Sequence, residues 1–195
     1  MTRECQKYEY LDQEQSLKQL DQLDDFLKGV EKRAFKMAWF ATSNTDEALD
    51  IVQDAMTRLV KKYADKDAEE WGPLFHRILQ SVIRDWYRKQ KVRNRWQMFW
   101  SSNENHEDPV DLAVDTYTAT PEQQLGNQYA IEEVNQVLTN LPLRQQQAFL
   151  LRTMEGLDTK STANAMQCSQ SSVKTHYSRA LSALRQQLET HYESH

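Results

Sequence analysis

The chain has 195 residues, with 24 Lys and Arg against 29 Asp and Glu and a formal net charge of -5, so as a whole it is no simple basic nucleic-acid binder. Its length leaves room for two small domains, and four Gly, four Pro and no alternating β-branched runs argue against a sheet and for an all-helical protein. No apolar run approaches membrane-spanning length, no charged-then-apolar leader follows Met1, and Cys5 and Cys168 are far apart without CxxC spacing. These features argue against a membrane protein, a disulfide framework or a zinc site, and for reduced thiols in a cytoplasmic protein.

The start of the chain, through about Gln15, is polar and reads as a loosely ordered extension over residues 1–20. From Leu20 to Phe40, helical spacing of Leu23, Phe26, Leu27, Val30, Ala34, Met37 and Ala38 predicts an amphipathic helix. A break at Thr42 to Thr45 precedes a second helix, whose early acids suit the positive end of its dipole. Its apolar stripe runs through Ala48, Ile51, Val52, Ala55, Met56, Leu59, Val60 and Tyr63, leaving Glu47, Asp50, Gln53, Asp54 and Arg58 toward solvent. A polar loop, Ala64 to Glu70, then leads through Trp71-Gly72-Pro73 to a third helix. Leu74, Ile78, Leu79, Val82, Ile83 and Trp86 face inward there, opposite Arg77, Ser81, Arg84, Tyr87, Arg88, Lys91 and Arg95.

Between Arg95 and Arg144 there is no Lys or Arg, yet this stretch carries Glu104, Glu107, Asp108, Asp111, Asp115, Glu122, Glu132 and Glu133. Residues 97–119 lose periodicity and read as an acidic, flexible linker, able to span on the order of 75 Å when extended. Thr120-Pro121-Glu122-Gln123 is a capping-box signal for a restart, and Gly156 suits the end of a later helix that follows Leu141-Pro142. A short helix from about Thr159 to Met166, a turn at Gln167 and Cys168, and a capping Ser169 then lead into a helix with Val173, Tyr177, Ala180, Leu181, Leu184 and Leu188 inward. That is helix-turn-helix order, with Gln170, Ser171, Lys174, Thr175, Ser178 and Arg179 on the outward half that meets base edges and phosphates. Two helical domains result, over 21–96 and 120–195.

Charge segregation of this kind concerns partners. The third helix, seven cations from Arg77 to Arg95 against Asp85 alone, offers the sequence-independent attraction to phosphate that the acidic middle repels. Asp50 and Asp54 at i, i+4 would suit a cation only with further converging ligands, and none is evident, so neither a metal nor another cofactor is expected.

The order of parts resembles the extracytoplasmic-function group of bacterial sigma factors, from about Asp24 to Leu188. Asp46-Glu47-Ala48-Leu49-Asp50-Ile51-Val52-Gln53-Asp54 is similar to the acidic region 2.2 of that family, and Phe75-His76-Arg77-Ile78 through Asp85-Trp86-Tyr87-Arg88 resembles region 2.4. Leu141-Pro142, Glu155-Gly156-Leu157, Ser172-Val173-Lys174-Thr175 and Ser178-Arg179-Ala180 resemble region 4. Leu49, Ser81 and Gln167 depart from the family pattern of Glu, Asn and Gly.

The resemblance implies a non-enzymatic factor that binds core RNA polymerase and promoter DNA, double-stranded and melted. Asp50, Gln53 and Asp54 would meet the clamp coiled coil of the largest catalytic subunit. Arg77, Arg84, Tyr87, Arg88 and Lys91 would meet the minus-ten element. Trp71 follows the loop that would hold a flipped base, and is either its stacking platform or a hydrophobic plug at the helix junction. Gln170, Ser171, Lys174, Thr175, Ser178 and Arg179 would read the minus-35 element. The linker is either an RNA-like occupant of the basic exit channel or a solvated tether. An anti-sigma protein is an expected partner. The rival reading is a two-domain helix-turn-helix regulator with a helical interaction domain; a helical nucleic-acid enzyme would need a nucleophile or metal cluster that the sequence does not display.

Overall fold

The computed structural model describes residues 3–100 and 134–192, with side chains over 17–93 and 134–186. Every regular element among them is a helix: α1 (Arg3–Thr42), α2 (Thr45–Tyr63), α3 (Ala68–Trp100), α4 (134–140), α5 (Leu143–Thr153), α6 (Thr159–Met166) and α7 (Gln170–Tyr192). The all-helical expectation holds. The acidic linker and the capping box at Thr120 lie outside the described residues.

Two boundaries differ from the sequence reading. The polar start is not loosely ordered, because α1 begins at Arg3 and runs unbroken for 40 residues. Its Glu, Gln, Lys and Arg are good helix formers and no Gly or Pro interrupts them before Gly29, so propensity carries the helix back through a segment that lacks an apolar stripe. Helix α3 likewise starts at Ala68, ahead of Pro73, which lies inside it. Proline here removes one i−4 bond near the helix start, where the carbonyl it would have served, that of Glu69, belongs to an exposed residue. The loop before α3 therefore shortens to 64–67.

The first half packs α1, α2 and α3 around the stripes read from the sequence. Leu23, Val30, Ala34, Met37, Ala38, Ala48, Ile51, Val52, Ala55, Leu59, Leu79, Val82 and Ile83 are all buried, whereas Val60 is 38% exposed and drops out of the stripe. A tight turn joins α1 to α2: Ser43 has φ 52, its amide reaches the Trp39 carbonyl, and the Asn44 side chain caps α2 by accepting from the Glu47 amide at 3.0 Å. In the second half, α5, α6 and α7 enclose Ala148, Leu150, Leu151, Ala163, Met166, Val173, Ala180 and Leu184, with Phe149 stacked on Tyr177. Helix α5 ends at Thr153; just beyond it Gly156 is left-handed, φ 63, and the Leu157 amide returns to the Leu151 carbonyl at 3.1 Å, turning the chain toward α6.

The halves touch. Helix α3 packs on α6, α1 packs on α5, and the buried residues of both halves form one continuous cluster. A linker long enough to keep them apart does not do so.

Trp71 is 1% exposed, lies against Phe26 at 6.0 Å between ring centroids, and donates its indole N–H to the Tyr63 carbonyl at 3.0 Å. It plugs the α2–α3 junction, and no ring face is open for stacking a base. Trp71→Ala is expected to destabilise the chain by about 3–5 kcal/mol in urea titration. Trp71→Phe keeps the ring and loses one hydrogen bond, a cost of about 1 kcal/mol. A Trp71→Phe chain of unchanged stability but impaired strand opening would restore the stacking role.

Candidate nucleic-acid interface

The helix-turn-helix is built as its capping residues dictate. Asp158 opens α6, its side chain accepting from the Ser161 amide at 2.7 Å, and that hydrogen bond holds its carboxyl below the ordinary carboxylate value. Gln167 closes α6 in the left-handed conformation, φ 54 and ψ 52, at the turn position where the resembled family commonly has Gly. Such a conformation strains a non-glycine residue by roughly 1 kcal/mol. Ser169 then caps α7, its hydroxyl oxygen accepting from the Ser172 amide at 3.1 Å.

On α7, Gln170, Ser171, Lys174, Thr175, Ser178 and Arg179 are all exposed, while Val173, Ala180 and Leu184 on the opposite face are buried. Thr175 spends its hydroxyl on the Ser171 carbonyl at 3.1 Å. Lys174 and Arg179 make no ion pair among the described residues. One helix face thus offers two cations and several hydrogen-bonding groups to solvent.

On α3, Arg77, Arg88 and Lys91 are exposed, with Arg88 3.6 Å from Asp85 and the Lys91 ammonium 5.1 Å over the ring of half-buried Tyr87. Arg84 is the exception to an outward-facing set. It is 7% exposed, donating from Nη1 to the Met166 carbonyl at 3.3 Å and from Nη2 to Gln167 Oε1 at 2.7 Å. Burial, and then the nearby Arg144 guanidinium, push its pKa below the usual arginine value.

On α2, Leu49, Asp50 and Gln53 are exposed. Asp54 is not a bare acid: Arg58, one turn on, grips it with two bonds at 2.8 and 2.7 Å. Both partners are well exposed, so the pair is worth only about 0.3–0.5 kcal/mol and can be exchanged.

Several residues with structural roles escaped sequence reasoning. Glu47 was expected in solvent but accepts the Trp86 indole N–H at 2.6 Å and lies 3.8 Å from Arg93, tying α2 to the basic helix. Gln19 on α1 donates to the carbonyls of Ala64 and Lys66 in the loop before α3. Glu155 sits between Arg33 at 3.1 Å and His76 at 3.5 Å, its side chain 6% exposed. None of these carries a spacing signal, since each bond joins residues distant in the chain.

His76 is held below the ordinary histidine value chiefly by burial; Glu155 opposes that shift and Arg33 adds to it. A depressed folded-state pKa means that the unfolded chain takes up the proton first. Stability contributed by neutral His76 is therefore complete above about pH 6.5 and lost as pH falls below it. His176 shifts the same way, from burial with Arg144 and Arg179 nearby. Urea midpoints at pH 7.5 and 5.5 should show a loss of stability on acidification, and His76→Gln should reduce that loss, leaving the share due to His176.

The sequence family described as Sigma-70, region 4 matches residues 131–184, which contain α5, α6 and the outward half of α7. The chain is 23% identical over 158 residues to the ECF RNA polymerase sigma factor SigX of Bacillus subtilis (strain 168), covering 80% of this chain and 77% of that protein. Its fold is similar to that of the sigma factor RpoE from Bartonella quintana, seen in a co-crystal structure with the anti-sigma factor NepR. The TM-score is 0.57 at 21% identity, covering 85% of this chain and 97% of that one. Region 4 thus falls on the helix-turn-helix, and over both halves the chain is similar to a sigma factor of the extracytoplasmic-function group.

Proposed function

We propose that the chain directs transcription initiation by docking on core RNA polymerase through α2 and reading promoter DNA through α7 and α3. The observation that carries this reading is the division of α7, where six polar side chains lie together on the exposed face of its first three turns while the opposite face is buried in region 4. A helix held this way inserts side chains into a major groove without loss of its own packing. It performs no covalent chemistry of its own.

The exposed face around Leu49, Asp50 and Gln53 gives polymerase an acidic surface with an apolar neighbour, suited to a basic helical partner such as the clamp coiled coil. Asp54 joins it by exchanging Arg58 for a partner cation. Arg77, Arg88 and Lys91 supply phosphate contacts near the minus-ten element, and Tyr87, covered by Lys91, is a positioned aromatic among them. An anti-sigma protein is the expected regulator, by analogy with the RpoE–NepR complex. No helix among the described residues is long and apolar enough to cross a membrane, and we place the chain in the cytoplasm with its polymerase.

Charge reversal of Asp50 to Lys should weaken core-polymerase binding by about 1–3 kcal/mol in a competition assay. Asp54→Lys should cost less, because Arg58 already neutralises that carboxylate. Unchanged affinity for both would remove α2 as the dock.

Arg179→Ala should reduce promoter affinity by roughly 1–3 kcal/mol and relax choice at one base pair if the guanidinium reads a guanine edge. A salt dependence shallower by about one unit, with specificity intact, would assign Arg179 to a phosphate instead.

A further inference from the structure

Helix α1 extends past its own core. Leu23 is its first buried side chain among the described residues, and from Leu17 to Gln22 every side chain is exposed except that of Gln19, which is half-buried. The Gln19 amide spans the loop before α3, donating to the Ala64 carbonyl at 3.1 Å and to the Lys66 carbonyl at 3.2 Å. From the other side, the Trp71 indole donates to the Tyr63 carbonyl at 3.0 Å, and the Lys66 amide returns to the same oxygen at 3.2 Å. Carbonyls at the end of a helix have no intrahelical partner and are otherwise left to water. Here those of Tyr63, Ala64 and Lys66 are all taken, while Asp65, Lys66 and Asp67 remain exposed. The loop is fixed by its backbone, with its side chains left to solvent.

We propose that Gln19 is a positioning residue for strand capture: by clamping the Ala64 and Lys66 carbonyls it holds the 64–67 loop in one shape for an unpaired base of opened promoter DNA. The proposal deepens the sigma-factor reading and rests on it, because that reading puts a flipped base at this loop. Exposed Arg77 lies nine residues into α3, about 14 Å from the helix start at 1.5 Å per residue. A strand whose phosphate meets Arg77 therefore has its neighbouring nucleotides within reach of the loop. Holding an unstacked base is costly, and a loop that orders only on contact adds its own conformational entropy to that cost. A loop already clamped adds little. Trp71, buried in the helix junction, serves the same loop as a second anchor rather than as a platform.

Gln19→Met tests the clamp in the full-length chain. Methionine is close to glutamine in length and helix propensity, has no N–H to donate and brings no charge. In the free protein, deuterium uptake by the backbone of residues 64–67 should become about threefold to tenfold faster, as the loss of one or two hydrogen bonds implies. With core RNA polymerase, on a genomic fragment that the wild-type holoenzyme transcribes, the open complex should dissociate faster by a similar factor of about three to ten. Affinity for core polymerase should stay at the wild-type value. Unchanged uptake in the loop overturns the clamp. Faster uptake with an unchanged open-complex lifetime overturns its part in strand capture, and so does an equal loss of core affinity, which would mark a general structural defect. A wild-type holoenzyme that transcribes no fragment would sink the sigma-factor reading instead, an outcome separate from the loop measurement on the free chain.

Discussion

A guanidinium cannot be buried without acceptors, and meeting that requirement for Arg84 sets how the two halves of this chain sit together. Arginine keeps its proton at any physiological pH, so the charge cannot be shed. The first half supplies the apolar packing on one side of α3; both acceptors of Arg84, the Met166 carbonyl and Gln167 Oε1, lie in the second half, at the carboxyl end of α6. Helix α3 is therefore shared, its apolar face committed to α1 and α2 and one cation of its polar face committed to the helix-turn-helix.

The other ties in the seam have the same character. Glu155 is a nearly buried carboxylate answered by one permanent cation, Arg33, and one titratable ring, His76. Gln146 bridges the Phe40 and Leu138 carbonyls, joining the end of α1 to the start of region 4. Polar seams differ from apolar cores in an important way. Each of these groups can take water or another polar ligand once separated, so opening the halves strands little hydrogen-bonding capacity. Within each half, by contrast, separation would expose Leu59, Trp71, Leu79, Leu151 or Met166, for which water offers no substitute. The seam thus combines exchangeable polar ties with apolar contact, since the buried side chains of both halves form one continuous cluster.

Charge is distributed to match. The net -5 hides a basic α3, an outward α7 face with Lys174 and Arg179, and an α2 face presenting Asp50. Surfaces of opposite sign on one small protein suit a factor that must bind a polyanion and a protein at once, because each surface repels the other's ligand. Glu47 refines this picture. Although it belongs to the acidic run of α2, its carboxylate is turned onto Trp86 and Arg93 of the basic helix.

The sequence by itself determined the helices, their buried stripes and the helix-turn-helix, because these depend on local periodicity, caps and turn residues. Thr159–Met166 and the start of α7 after Ser169 fall where the caps place them, and all six outward positions of α7 are exposed. The start of α1 was misjudged because a polar helix lacks the apolar stripe by which helices are recognised. Trp71 and Arg84 were decided only by tertiary structure. An indole before a helix reads equally as platform or plug until its neighbours Phe26 and Phe75 are in place. A cation on a cationic stripe reads as free until a partner 83 residues away closes over it. Hydrogen bonds between distant segments leave no periodic trace in a single sequence, so the seam between the halves could be found only where the chain brings them together.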